Sequence, residues 1–305
     1  MTTQKISYYN EISMMMYGFG DSHQPDKDTV NLVESIVLNQ LQTIVKEAQK
    51  YGDGKIVNAQ ELVFLLRHNK CKMQRFVRYL NNKEITKVAY GSTTATPNFT
   101  PKIDETPFIE IDPEDRPKNK LIEFIELLDE TGEFMDLSEE DEVKMERMVR
   151  ADRISQELNE EKYIEFAKAR CSSFKVKSRT MAENMKQWID PKNETVINAD
   201  ALDVLSYFAH ETVAEIVDCA LLVREDAKSG TDPVRHLPGS YYSAVMFNGA
   251  HRFEEKKPDY TRVHSGQLPI SVAEIHEVMR RIYNRQAGKL NFGGKVPETH
   301  FLFAL

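Results

Sequence analysis

The chain has 305 residues, 41% of them hydrophobic, and a formal charge of −8. That length can bury a substantial core, and it predicts two domains joined by a connecting region. Three widely spaced cysteines, Cys71, Cys171 and Cys219, make no disulfide framework or zinc pattern, and no stretch resembles a signal peptide or a membrane span.

Taken in order, Ser7 to Tyr17 places Tyr8, Ile12, Met15 and Met16 at helical spacing, which predicts a short amphipathic helix. Gly18, Gly20 and Pro25 are expected to end it, and Asp26 and Asp28 suit the start of the next helix. That helix runs from Thr29 to Tyr51 and is apolar enough to be central, with Val33, Ile36, Val37 and Leu41 as its core. Gly52 and Gly54 stop it, Lys55 to Val57 can be extended, and Asn58 with Glu61 forms a cap for a third helix ending near His68. A basic amphipathic helix follows, with Met73, Phe76, Val77 and Leu80 on one side and Lys70, Lys72, Arg75 and Arg78 elsewhere.

Residues 81–120 read as loop, broken by Pro97, Pro101, Pro107, Pro113 and Pro117. Lys120 to Asp129 reads as a short helix and Ser138 to Arg170 as a charged helical connector. Charge is sorted along the chain. Residues 104–165 hold 22 acidic and 8 basic side chains, against 26 and 32 in the remainder. Boundaries are therefore expected near both ends of that acidic region, giving units 1–90, 91–165 and 166–305.

The last unit opens with a helix through Phe174 to Ile189 that carries the only tryptophan, Trp188. A long helix is expected from Ala199 to Lys228, with Phe208, Val213, Ile216 and Val217 among apolar residues covering more than one face. Such a helix must be enclosed. Lipid is a poor enclosure, because Asp203, Glu211, Glu215 and Asp218 would each cost kilocalories there. Residues 229–268 form a long loop, Ile270 can be extended, and Ser271 with Glu274 caps a final helix to about Tyr283.

Short helix, long central helix, brief extended piece and short helix is the order of a histone fold, and it occurs twice. One such fold leaves much of its long helix uncovered and needs a second packed head to tail across it. The expected architecture is all-α: two histone folds in one chain forming an intramolecular pair. The pairing core is expected to be Val33, Ile36, Val37 and Leu41 against Phe208, Val213, Ile216 and Val217, with the helices crossing near Val37 and Val213.

The segments YYNEISMMMYGFGD, VNLVESIVLNQLQ, GDGKI, AHETVAEIVDCALLVRED and ISVAEIHEVMRR resemble the suppressor-of-Ty-three family, the double histone-fold subunit of the SAGA coactivator. The N-terminal half also resembles the small histone-fold subunit of TFIID, and the C-terminal half that subunit's partner. The resemblance implies a non-enzymatic nuclear protein that joins other SAGA subunits and delivers or regulates the TATA-binding protein at promoters. It implies no cofactor and no small-molecule substrate.

Glu211, Glu215 and Asp218 fall at i, i+4 and i+7 of the second central helix, so they share one face. The resemblance implies that the TATA-binding protein, a basic partner, engages the second histone fold, and this face is the expected contact. DNA binding is the alternative, with the basic helix at 67–78 as its patch and a weak promoter contact as its form. Asp53-Gly54-Lys55-Ile56 has the middle of a calcium loop without its carboxylates, and His210-Glu211 lacks the second histidine of a zinc-protease helix. No catalytic residue or metal ligand set is assigned.

Overall fold

The computed structural model describes residues 6–52, 54–91, 119–174, 176, 178–229, 268–291 and 301–305. The first unit comprises α1 (Tyr9–Phe19), α2 (Lys27–Gln49), β1 (Ile56–Val57), α3 (Ala59–Leu65) with a 3-10 turn at Leu66–His68, and α4 (Lys70–Gly91). Three connector helices follow: α5 (Lys120–Leu128), α6 (Glu142–Glu157) and α7 (Glu160–Arg170). The second unit contains α8 (Arg179–Ile189), β2 (Val196–Ile197), α9 (Ala199–Ser229) and α10 (Val272–Asn291).

Helix starts follow local chemistry. The Asp26 carboxylate accepts from the backbone N–H of Thr29 at 3.0 Å, which satisfies one donor that the first turn of α2 leaves free. Asn58 and Glu61 make the capping box of α3, and Ser271 and Glu274 exchange the same pair of bonds at α10.

The central helices α2 and α9 pack on each other, and α9 also meets α1, α3, α8 and α10. A single core runs through both units. Val33, Val37 and Leu41 are enclosed in it with Phe208, Val213, Ile216 and Val217, while Ile36 lies half-buried at its margin. Tyr8 of the first unit packs against Phe174 and Trp188 of the second, with ring centroids 5.4 and 4.8 Å away.

The two ends of the pair are fastened differently. At one end β1 and β2 form a parallel bridge, Ile56 opposite Val196 and Val57 opposite Ile197. Gln42 donates to the Ile189 carbonyl and Gln49 to the Thr195 hydroxyl alongside it. At the other end a buried side chain stands in for a strand: the Asp21 carboxylate accepts the N–H of Ile270 at 2.8 Å. Arg224 holds both carboxylate oxygens of Glu274 and the carbonyls of Leu268 and Pro269 there.

The acidic connector is part of the packed body. Helix α7 lies along α1, and Tyr17, Ala151, Ile154, Phe166 and Ala169 make a second small core beneath it. Gly18 was expected to end α1 but lies inside it, where it serves close packing: a Cβ there would sit 2.9 Å from the Ala169 carbonyl oxygen of α7. Gly20 supplies the ending, with φ of 116° and its N–H on Met16 and Tyr17.

Four boundaries differ from the sequence reading. Helix α4 continues through residues 81–91, since the prolines begin only at Pro97. The connector breaks at Leu158, where Asn159 caps a new helix by accepting from Lys162 N–H at 3.1 Å. Helix α8 begins after its Ser178 cap, so Phe174 reaches the core from outside a helix. Helix α10 runs on to Asn291. Residues 92–118 and 230–267, which hold nearly all of the predicted proline linker and long loop, lie outside the described residues.

Because each unit completes the other's core, Val37→Asp or Val217→Asp strands a carboxylate without a partner, costing several kcal/mol. Either variant is expected to abolish the cooperative melt of the whole chain in a thermal scan followed by circular dichroism, not of one half alone.

Candidate functional site

Helix α9 presents Glu211, Glu215 and Asp218 along one face, as the spacing requires. The structure fills that face from within the chain. Helix α4 approaches with Lys72 and Arg75, and α6 with Arg147 and Arg150. Arg75 grips Asp141, the N-cap of α6, through two bonds of 2.5 and 2.8 Å and reaches Glu211 at 3.2 Å. Arg147 bridges Glu211 at 3.1 Å and Asp218 at 2.6 Å. Arg150 takes the other oxygen of Asp218 at 2.6 Å and donates to the Phe19 carbonyl at 2.8 Å. Lys72 lies 3.1 Å from Glu215.

These charges sit at low exposure. The Arg75 and Asp141 side chains are 9% and 8% exposed, and Glu211 is 13% exposed. Burial pushes the Glu211 carboxyl up, but Arg147, His210 and Arg75 outweigh it and hold the group below its usual range. Asp141 is likewise held low, its burial overcome by Arg75. Glu215 is the exception. Its burial wins over Lys72, with Glu211 adding repulsion, and the carboxyl is raised. The guanidinium of Arg147 also lies 5.8 Å from the Phe19 ring centroid.

All three carboxylates of the face expected to meet a partner are engaged by cations of the same chain. The physical reason is that the connector is amphipathic in charge, turning Arg147 and Arg150 inward to meet α9 while Glu142, Glu146 and Asp152 stay exposed. Sequence reasoning named the triad and missed its partners. An i, i+3 arginine pair opposite an i, i+4, i+7 acidic triad is a readable signal only once α6 and α9 are known to be neighbours.

The basic helix has the same fate. Lys70 pairs with Glu139 at 3.1 Å, and Arg78 donates to the carbonyls of Leu137 and Glu139. Lys83 pairs with Asp203 at 2.9 Å. The predicted DNA patch is thus occupied largely by the acidic connector and by α9. His210 packs edge-on against Phe19, with centroids 5.1 Å apart. Among the described residues, no group of three or more His, Cys, Asp or Glu is disposed to hold a metal ion, and no helix is long and apolar enough to cross a membrane.

Two joined histone units with a clamped connector narrow the comparison. A family model for the 18 kD subunit of transcription initiation factor IID matches residues 6–92, which is the first unit. The SAGA complex subunit Spt3 of Drosophila melanogaster is 30% identical over 294 residues, covering 93% of this chain and 70% of that protein. The chain belongs to the Spt3 family. The SAGA complex subunit Spt3 of Schizosaccharomyces pombe is 26% identical over 302 residues, covering 92% and 91% of the two chains. TFIID subunit 13 of Dictyostelium discoideum is 33% identical over 89 residues, only 28% of this chain but 83% of that protein. That shared stretch is the size of a single histone unit, whereas the Spt3 relatives match nearly the whole double-unit chain. This Spt3-family chain is a transcription coactivator subunit built on a double histone fold.

Breaking one partner of a buried ion pair leaves the other uncompensated, at about 3–5 kcal/mol. Arg147→Ala and Asp218→Lys are expected to lose about 3 kcal/mol or more in denaturant unfolding. The exposed control Glu146→Lys should stay within about 0.5 kcal/mol of the parent.

The depressed carboxyls of Asp141 and Glu211 give stability that is present above the ordinary carboxylate pKa and lost as pH falls through their folded values. Glu215, being raised, acts with the opposite sign. Melting temperature is expected to fall as pH drops below about 4, and the fall should be shallower in Asp141→Asn. Melts across a pH series check both.

Proposed function

We propose that this Spt3-family chain is a non-enzymatic, nuclear subunit of a SAGA-type coactivator that binds the TATA-binding protein and delivers or regulates it at promoters. Similarity to a SAGA complex subunit over 93% of the chain carries the reading. The fold supports it. Each central helix finds its histone partner inside the chain, so the molecule enters an assembly as a finished pair and uses its outer surface for contacts. Resemblance to the family extends the reading to the TATA-binding protein.

Glu211, Glu215 and Asp218 enter this proposal as positioning residues. They fix α6 on the second histone fold, and the exposed Glu142, Glu146 and Asp152 of α6 then offer acidic charge to a basic partner. Charge of this kind steers association and sets register. Direct DNA binding has weaker support, since Lys70, Lys72, Arg75 and Lys83 of α4 are engaged in internal pairs.

Two measurements test the proposal. Affinity purification of the chain with its endogenous partners, identified by mass, should return SAGA subunits; their absence would defeat the reading. A triple reversal of Glu142, Glu146 and Asp152 to Lys should weaken pull-down of the TATA-binding protein with melting unchanged. Undiminished pull-down would remove α6 from the contact.

A further inference from the structure

Residues 301–305, Phe-Leu-Phe-Ala-Leu, are seated on the first histone unit in the manner of a bound peptide. The carboxamide of Gln40 on α2 reads the backbone of the segment from both sides. Its Nε2 donates to the Phe301 carbonyl at 3.0 Å and its Oε1 accepts the Phe303 N–H at 3.0 Å. In an extended chain the carbonyl of one residue and the N–H two positions on face the same way, so one side-chain amide satisfies both.

Lys72 on α4 donates to the Phe303 carbonyl while also holding Glu215, and Asn69 donates to the Leu305 carbonyl at 3.4 Å. The segment closes in a turn from Leu302 to Leu305 that includes Phe303, with Leu305 N–H on the Leu302 carbonyl at 3.2 Å. The side chains divide as peptide anchors do. Phe303 and Ala304 are 1% and 3% exposed in the main core, whereas Phe301 is 41% exposed and packs edge-on against Phe303. Gln40 is itself 8% exposed, a buried polar side chain whose whole hydrogen-bonding capacity toward the segment goes to main-chain atoms.

We infer that Gln40, Asn69 and Lys72 form a peptide-recognition groove that residues 301–305 occupy in cis. Its chemistry suits a segment of another polypeptide that carries aromatic–x–aromatic–Ala and can turn at its second aromatic residue. Main-chain bonds supply affinity that is indifferent to sequence, and the buried aromatic and the small residue after it supply selectivity. Held on the same chain, the resident segment competes intramolecularly, so a competing segment is screened out until the resident one is released. The inference does not rest on the proposed function.

The test uses the full chain with Phe303→Asp, which expels the segment because a carboxylate is far costlier than a phenyl ring at a position 1% exposed in the apolar core. The probe is a labelled peptide of residues 298–305, followed by fluorescence anisotropy, with circular dichroism melts confirming the fold. The variant is expected to bind the peptide saturably at one site, and the parent chain at least about tenfold more weakly, because its own segment competes. Adding Gln40→Ala to the variant should reduce peptide affinity by about fivefold or more, the loss expected for a pair of backbone hydrogen bonds. Equal binding by parent and variant overturns the proposal, as does no binding by the folded variant or indifference to Gln40→Ala. If Phe303→Asp fails to fold, Phe303→Ala is measured in the same way. Loss of cooperative folding in both would show the segment to be plain core, and would also overturn it.

Discussion

The crossing of α2 with α9 is the constraint on which the remaining structure depends. Neither helix can hide its apolar surface under the short helices of its own unit, and burial at roughly 25 cal/mol per Å² is the largest favourable term available. Placing both in one chain removes the concentration dependence that a pair of separate subunits would carry. It also lets the two ends of the crossing diverge. A β-bridge closes one end, and the Asp21 carboxylate on Ile270 N–H closes the other.

Around that crossing, charge fixes position. The buried group of Arg75, Asp141, Glu211, Arg147, Asp218 and Arg150 gains little net stability, since desolvation offsets much of the attraction. What it supplies is a single seat for α6, because any displacement leaves a buried charge unmatched. The sign pattern follows. The acidic connector turns Arg147 and Arg150 inward and leaves Glu142, Glu146 and Asp152 outside, so acidic charge reaches the surface while the fastening stays buried.

The same logic explains where this chain departs from a minimal histone pair. Helix α7 needs Gly18 to lie close to α1, and the segment 301–305 needs Gln40 and Lys72 to satisfy its main chain. In each case a polar or backbone requirement decides which segment covers which part of the paired helices.

The sequence alone determined what depends on neighbours along the chain. Two long apolar helices, the Asn58–Glu61 and Ser271–Glu274 caps and the extended piece at Ile56 are local signals, and they were enough for a double histone fold. Ile270, however, forms no strand, and the partner of Ile56–Val57 is Val196–Ile197. The acidic triad was legible as a face because helical spacing is a local property too. Its use was not. Arg147 and Asp218 are 71 residues apart, and Gln40 and Phe303 are 263 apart. No periodicity connects positions so distant, and helix propensity does not say which surfaces meet. Only the tertiary structure decided that the triad fastens a connector, that Lys70, Lys72 and Arg75 of the basic helix pair internally and that residues 301–305 pack against Gln40. Those outcomes follow from packing and desolvation, which act on whatever the fold brings together.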